Sequence, residues 1–125
     1  MKSYRDEILK FAKKKYDVTP EFLCQKFPTY AVLRNKDNKK WFATIMRVPS
    51  EKLGLASTGE VEVMNIKCEP LGVIRLLDEG KGFLPAYHMN KTYWITVLLD
   101  GSVELKRIQN LLKMSFDLVN GKRNN

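Results

Sequence analysis

Apolar residues recur three or four positions apart in three segments of the chain, and this spacing predicts three helices. The first helix has a buried stripe of Tyr4, Ile8, Phe11, Ala12 and Tyr16. Ser3 and Asp6 are typical of its start. The second helix is expected to begin at Glu69-Pro70 and to place on one face Leu71, Ile74 and Leu77. Ser102 is expected to cap the third helix, whose buried residues are Leu105, Ile108, Leu111, Leu112, Ser115, Leu118 and Val119.

Two segments rich in aromatic and β-branched residues, Tyr30 to Arg34 and Trp41 to Val48, predict a first β-hairpin. The Asn and Asp residues of segment 35–39 tolerate the backbone conformations of its turn. A third strand is expected from Glu60 to Cys68. Its alternation changes phase at Val63-Met64, which favours a bulge or twist there.

A second hairpin is predicted from Phe83 to Met89 and from Tyr93 to Leu99, around segment 90–92. Because proline cannot donate a ladder hydrogen bond, Pro85 indicates an edge strand or a bulge. The element order is therefore α-β-β-β-α-β-β-α, which predicts an α+β fold with an antiparallel sheet and helices packed on one face. We expect one domain over residues 1–125, with a frayed tail at 121–125.

Charge is the most informative feature of the composition, since 22 basic and 14 acidic residues give a net charge of +8. Such a field favours polyanions such as nucleic acid. The polar N-terminal sequence and short apolar runs indicate neither a signal peptide nor a membrane span, so we expect a cytoplasmic protein. Cys24 and Cys68 match no metal spacing and are expected to be reduced thiols.

No constellation of residues in the sequence predicts an enzyme. His88 is the only histidine, and no spaced carboxylates or cysteines accompany it as metal ligands. A glycine-rich phosphate loop is also absent from the sequence. We therefore expect neither catalysis nor a metal or other cofactor.

Both predicted hairpins combine lysines at the turn with neighbouring aromatic residues. The lysines are Lys36, Lys39 and Lys40 in the first turn and Lys91 in the second. The aromatic residues are Tyr30, Trp41 and Phe42 in the first hairpin and Tyr87, Tyr93 and Trp94 in the second. Lysines can neutralise phosphates and exposed aromatic rings can stack on unpaired bases, so the pattern favours nucleic-acid binding.

The block Tyr87-His88-Met89-Asn90-Lys91, followed by Trp94 and then by Leu99-Asp100-Gly101-Ser102, resembles the MmcQ/YjbR-like family. Further likeness extends over segments 30–43, 48–55 and 65–70, and hence over nearly the whole chain. The resemblance implies a fold similar to that of frataxin and a double-wing DNA-binding role, with wing tips at Asn35 to Lys40 and His88 to Trp94. Iron binding of the frataxin kind is disfavoured, because the first helix here is basic.

The sequence leaves three functions open. The first is DNA binding with low sequence specificity, through Lys36, Lys39, Lys40 and Lys91 with Arg34 and Arg47 as supplements. The second is a protein-interaction adaptor that docks a partner near Leu53 and Leu55. The third is a small-ligand module at the turn formed by Tyr87, His88, Met89, Asn90 and Trp94. This turn is equally consistent with a structural role, in which Asn90 and His88 satisfy the backbone and Trp94 fills the core.

Overall fold

The chain folds into three helices and a five-stranded sheet, in a computed structural model that describes residues 4–23 and 25–121. The helices are α1 (Arg5–Tyr16), α2 (Pro70–Glu79) and α3 (Leu105–Val119). The strands are β1 (Ala31–Arg34), β2 (Trp41–Pro49), β3 (Glu60–Lys67), β4 (Phe83–Pro85) and β5 (Trp94–Leu98). A single 3₁₀ turn, Ser50–Leu53, follows β2.

The strands pair antiparallel in the spatial order β1-β2-β3-β5-β4. This confirms the predicted α+β class and the predicted order of helices and strands. Strand β4 lies at the edge of the sheet and ends at Pro85, as expected for a residue that cannot donate to a ladder.

The three helices pack against one face of the sheet and form the main core with it. The fully buried residues of this core include Ile8 and Ala12 of α1 and Ile108 and Leu112 of α3. The prediction for α2 was wrong in its phase. This helix buries Val73 and Leu76 and packs the half-buried Leu77 against the core, whereas Leu71 and Ile74 are 61% and 62% exposed.

The opposite face of the sheet, called the open face below, carries a second and smaller apolar cluster. Its buried residues are Met46, Val48, Val63 and Leu98. Loop residues pack against it, among them Leu53 and Leu55. Strand β3 is therefore buried on both faces, which explains the change of phase at Val63-Met64. The expected bulge is absent there, since the register with β2 is continuous from Glu60 to Ile66.

A bulge lies instead at the start of β2. Leu33 pairs with Ala43, but the next residue, Arg34, pairs with Trp41, so that Phe42 is the extra residue. An extra residue reverses the alternation of a strand. As a result Phe42 packs in the helical core against Tyr16, while Trp41 turns to the open face.

The remaining local predictions concern the helix caps, the two cysteines and the C-terminal tail. Ser102 does not cap α3, because α3 begins after Glu104; the backbone N–H of Ser102 donates instead to the Asp100 carboxylate in a turn. Cys68 is a buried free thiol, and burial raises its pKa. The predicted cap Ser3, Cys24 and tail residues 122–125 lie outside the described residues.

Candidate nucleic-acid interface

The turn of the first hairpin, residues 35–40, is held against the end of α3. The buried Asn35 donates from Nδ2 to Asn120 Oδ1 over 2.8 Å. Its own Oδ1 accepts the backbone N–H groups of Asp37 and Asn38. Asn38 Nδ2 donates to the Val119 carbonyl over 2.8 Å. The first wing tip is thus a fixed part of the fold, with its lysines on a defined surface.

Strand register brings both lysine-bearing turns to the same end of the sheet. Ala43, near the start of β2, pairs with Ile66. Ile66 pairs with Ile95 at the start of β5, and Ile95 pairs with Pro85 at the end of β4. The turn 35–40 and the connection 86–93 therefore leave the sheet at the same end, with strand β3 between them.

Three of the six candidate cations are engaged in ion pairs. Lys36 Nζ lies 2.8 Å from an oxygen of Asp17. Arg34 Nε lies 3.3 Å from Glu21, without the alignment of a hydrogen bond. Arg47 lies 3.9 Å from Glu62, at the other end of the sheet from the two turns.

The Asp17 carboxylate is the acceptor shared by Lys36 and Lys13. It follows α1 in a left-handed conformation, and both lysine ammonium groups donate to it over 2.7–2.8 Å. These hydrogen bonds and charges lower the pKa of Asp17 from 3.8 to about 2. Asp17 also raises the pKa of Lys36. Lys36 is therefore partly neutralised and is a weak candidate for phosphate contact.

Lys39, Lys40 and Lys91 differ from these three cations. Each is exposed, and none forms an ion pair with any residue that the structure describes. Lys39 adopts a left-handed backbone conformation at φ 66°. It ends the turn immediately before Lys40 and Trp41, the first residue of β2. These three lysines are the free positive charges of the two turns.

Connection 86–93 folds back over the open face and is anchored by two buried polar side chains. Asn65 of β3 donates from Nδ2 to the Tyr87 carbonyl over 2.9 Å. Thr96 of β5 accepts the Tyr87 N–H at Oγ1 over 2.9 Å and donates to Asn65 Oδ1. The backbone of Tyr87 is thus fixed on both sides.

Asn90 and His88 shape the remaining part of this turn. Asn90 Oδ1 accepts the N–H groups of Thr92 and Tyr93, which agrees with the structural one of the two roles that the sequence left open for it. His88 is left-handed at φ 61° and exposed, and its ring stacks on Tyr87 with centroids 3.9 Å apart. Trp94 is half-buried. Asn90 is therefore a structural residue of the turn, whereas His88 presents its ring to solvent.

An apolar cleft of about 250 Å³ lies on the open face between the two turns. Its walls include the aromatic rings of Tyr30, Trp41, Tyr87 and His88, and its floor includes Thr44 and Met46. Trp41 reaches this position through the bulge at Phe42 and is 37% exposed. The Thr44 hydroxyl is buried and has no hydrogen-bond partner in the described part of the chain. We call this the aromatic cleft.

A second cleft of about 300 Å³ lies on the other side of the Tyr87-His88 pair. Lys52, from the 3₁₀ turn after β2, and Lys91 both line it, and none of its described lining residues is acidic. We call this the cationic cleft. Lys52 was missed by sequence reasoning, because only the folding of its loop over the open face brings it near Lys91.

Neither a metal site nor a membrane-spanning helix is found among residues 4–23 and 25–121. No group of three or more His, Cys, Asp and Glu side chains in these ranges is arranged to hold a metal ion. The helices within the same ranges are all too short or too polar to cross a membrane.

Comparison with known proteins decides the family. The family model described as YjbR matches residues 13–118. The chain belongs to the YjbR family. A relative from Bacillus subtilis (strain 168), named "Uncharacterized protein YyaQ", is 42% identical over 114 residues, which cover 91% of this chain and 96% of that protein.

Solved structures agree with this assignment. A crystal structure of a Pseudomonas syringae protein superimposes with a TM-score of 0.86 at 45% identity, covering 91% of this chain and 97% of that one. A crystal structure of protein DR2400 from Deinococcus radiodurans, described as a DUF419 domain, gives a TM-score of 0.73 at 20% identity and covers 98% and 83% of the two chains. At that identity the similarity concerns the fold alone.

Proposed function

We propose that this YjbR-family protein is a nucleic-acid-binding protein rather than an enzyme, and that it binds DNA with low sequence specificity through Lys39, Lys40 and Lys91. The observation that carries the proposal is the position of these lysines. They lie on two turns at the same end of the sheet, exposed and without ion pairs among the described residues.

Electrostatics favours these three lysines over the other three cations that the sequence suggests. A cation already paired with a carboxylate gains less from a phosphate, because the first ion pair must be broken or shared. Arg34, Lys36 and Arg47 are paired in this way. Contacts made mainly to phosphates carry no direct base information, which accounts for the low specificity that we propose.

The test is a salt series of fluorescence-anisotropy titrations with a labelled random-sequence duplex. Neutralising three phosphates corresponds to a log–log salt slope of about −3 for duplex DNA. The variant Lys39→Ala/Lys40→Ala/Lys91→Ala should lose most of the affinity and most of the slope. A matched control, Lys10→Ala/Lys14→Ala/Lys106→Ala, removes the same charge from exposed helix positions and should bind like the wild type.

Two results would contradict the proposal. One is the absence of binding by the wild type to both duplex and single-stranded DNA at about 50 mM salt. The other is an equal loss of affinity in the two triple variants, which would show that net charge matters and the location of the lysines does not.

A further inference from the structure

The aromatic cleft and the cationic cleft share a wall made of the stacked Tyr87 and His88 rings. Apolar rings therefore lie on one side of this wall and two ammonium groups on the other. A nucleotide has the same division, since its planar base is joined through the sugar to an anionic phosphate. The two clefts are complementary to the two parts of one nucleotide.

The aromatic cleft has the features that a base requires. The rings of Trp41, Tyr30 and Tyr87 line it, and stacking on aromatic rings is a common way in which proteins hold unpaired bases. One face of Tyr30 is stacked on Phe27 and one face of Tyr87 on His88. The buried Thr44 hydroxyl beneath them has no partner among the described residues. This oxygen is closed off from the cleft, so the floor that a base would meet is apolar and includes Met46.

The cationic cleft places two basic residues, suited to a phosphate, beside the apolar residues Leu53, Leu84, Pro85 and Ala86. Lys52 and Lys91 come from separate loops and line the same cleft, with no carboxylate among its described lining residues. Neither lysine forms an ion pair with a described residue. Like charges brought together by folding repel each other, and an anion between them relieves the repulsion.

We infer that these two clefts together form a binding site for one unpaired nucleotide of a nucleic-acid strand. The base occupies the aromatic cleft, and its phosphate binds Lys52 and Lys91 across the Tyr87-His88 wall. This inference rests on the proposed nucleic-acid binding and specifies its form. Bases of an intact duplex are stacked and paired, so the site selects single-stranded or locally opened segments.

The experiment compares two labelled single strands, an eight-residue oligothymidylate and an abasic strand with the same number of phosphates. Stacking of one base should make the wild type bind oligothymidylate about five-fold to 150-fold more tightly than the abasic strand. The variant Trp41→Leu, which keeps an apolar side chain, should lose this preference. Trp41→Phe, which restores a ring, should recover most of it.

The lysine of the second cleft is tested on the same two strands. Lys52→Ala should weaken binding of both strands and reduce the salt slope by about 0.7, the value for one phosphate of a single strand. Lys81→Ala removes an equal charge from an exposed position outside both clefts and should change neither quantity. Circular dichroism of each variant checks that the fold is intact.

The outcomes separate this inference from the proposal on which it rests. Equal affinity of the wild type for the two strands would overturn the base site, while leaving lysine-mediated binding in place. An unchanged preference in Trp41→Leu, or an unchanged slope in Lys52→Ala, would overturn the corresponding half of the site. If the wild type binds neither strand at low salt, the proposed function fails as well.

Discussion

Asn65 and Thr96 lie opposite each other on neighbouring strands, and Thr96 Oγ1 donates a hydrogen bond to Asn65 Oδ1. Both residues are fully buried. The same two side chains bond the backbone N–H and carbonyl of Tyr87. The wall between the two clefts is therefore positioned by a polar pair in the middle of the sheet.

Thr96→Val should release this wall. Valine has the same shape but can neither donate to Asn65 nor accept from the Tyr87 N–H. Leaving such buried groups unpaired costs about 1–3 kcal/mol, so we expect the free energy of unfolding to fall by roughly 2 kcal/mol. Amide hydrogen exchange in segment 86–93 should accelerate.

Thr92→Val, at an exposed position, serves as the control and should change stability by less than about 0.5 kcal/mol. Equal exchange rates in the two variants would refute the anchoring role of Thr96.

Asp17→Asn should strengthen DNA binding. The substitution removes the carboxylate that pairs with Lys36 and so adds a free ammonium group to the first turn. Anisotropy titration should show a tighter complex and a duplex salt slope steeper by about 0.9. Asp78→Asn removes one exposed negative charge from α2 and serves as the matched control. If both variants gain equal affinity for DNA, the gain comes from net charge and not from the release of Lys36.

Ser115→Ala should destabilise the fold without altering the site. Ser115 is fully buried on α3; its Oγ donates to the Phe42 carbonyl over 2.6 Å and accepts the Lys67 N–H over 2.8 Å. Alanine leaves both backbone groups unpaired, and we expect a loss of roughly 2 kcal/mol in urea unfolding. The exposed Ser57→Ala should be neutral within about 0.5 kcal/mol. Similar midpoints for the two variants would contradict the bridging role.

Alkaline pH should destabilise the protein through Tyr16. Its ring stacks on Phe116, with centroids 3.7 Å apart. Burial, and next the charge of Asp117, raise its pKa from 10.0 to about 12. Between these values the unfolded chain loses a proton that the folded chain keeps, so stability is full below pH 10 and falls towards pH 12. Absorbance at alkaline pH should show a late tyrosine titration that is missing from Tyr16→Phe. A Tyr16→Phe protein with an unchanged fall in stability would assign the effect to other groups.

Local periodicity was sufficient to predict the order of the elements and the first hairpin. The second hairpin was predicted only in part, because its first strand, expected from Phe83 to Met89, ends at Pro85 and residues 86–93 form a connection. Periodicity failed where burial depends on distant contacts. Strand β3 appeared to change phase at Val63-Met64 because loops cover the open face, and no local signal shows that a strand is covered on both sides. Helix α2 buries a different face from the one that carries Leu71 and Ile74. An amphipathic pattern shows which residues share a face, but not which neighbouring elements that face will contact.

The candidate site was predictable only in part. Lysine-bearing turns are visible in the sequence, and Lys39, Lys40 and Lys91 followed from them. The carboxylate partners of Arg34, Lys36 and Arg47 are separated from them by 13 to 19 positions, so only the tertiary fold shows that these cations are paired. The position of Trp41 likewise depends on a bulge that no glycine or proline marks in the sequence.

A nitrogen-15 correlation spectrum, recorded while single-stranded oligothymidylate is added at low salt, tests the account most directly. The largest shifts should occur at residues 39–41 and 87–92 and at the Trp41 indole. The basic face of α1, with Lys10 and Lys14, should remain unchanged. Shifts confined to α1, or no shifts at all, would contradict the account.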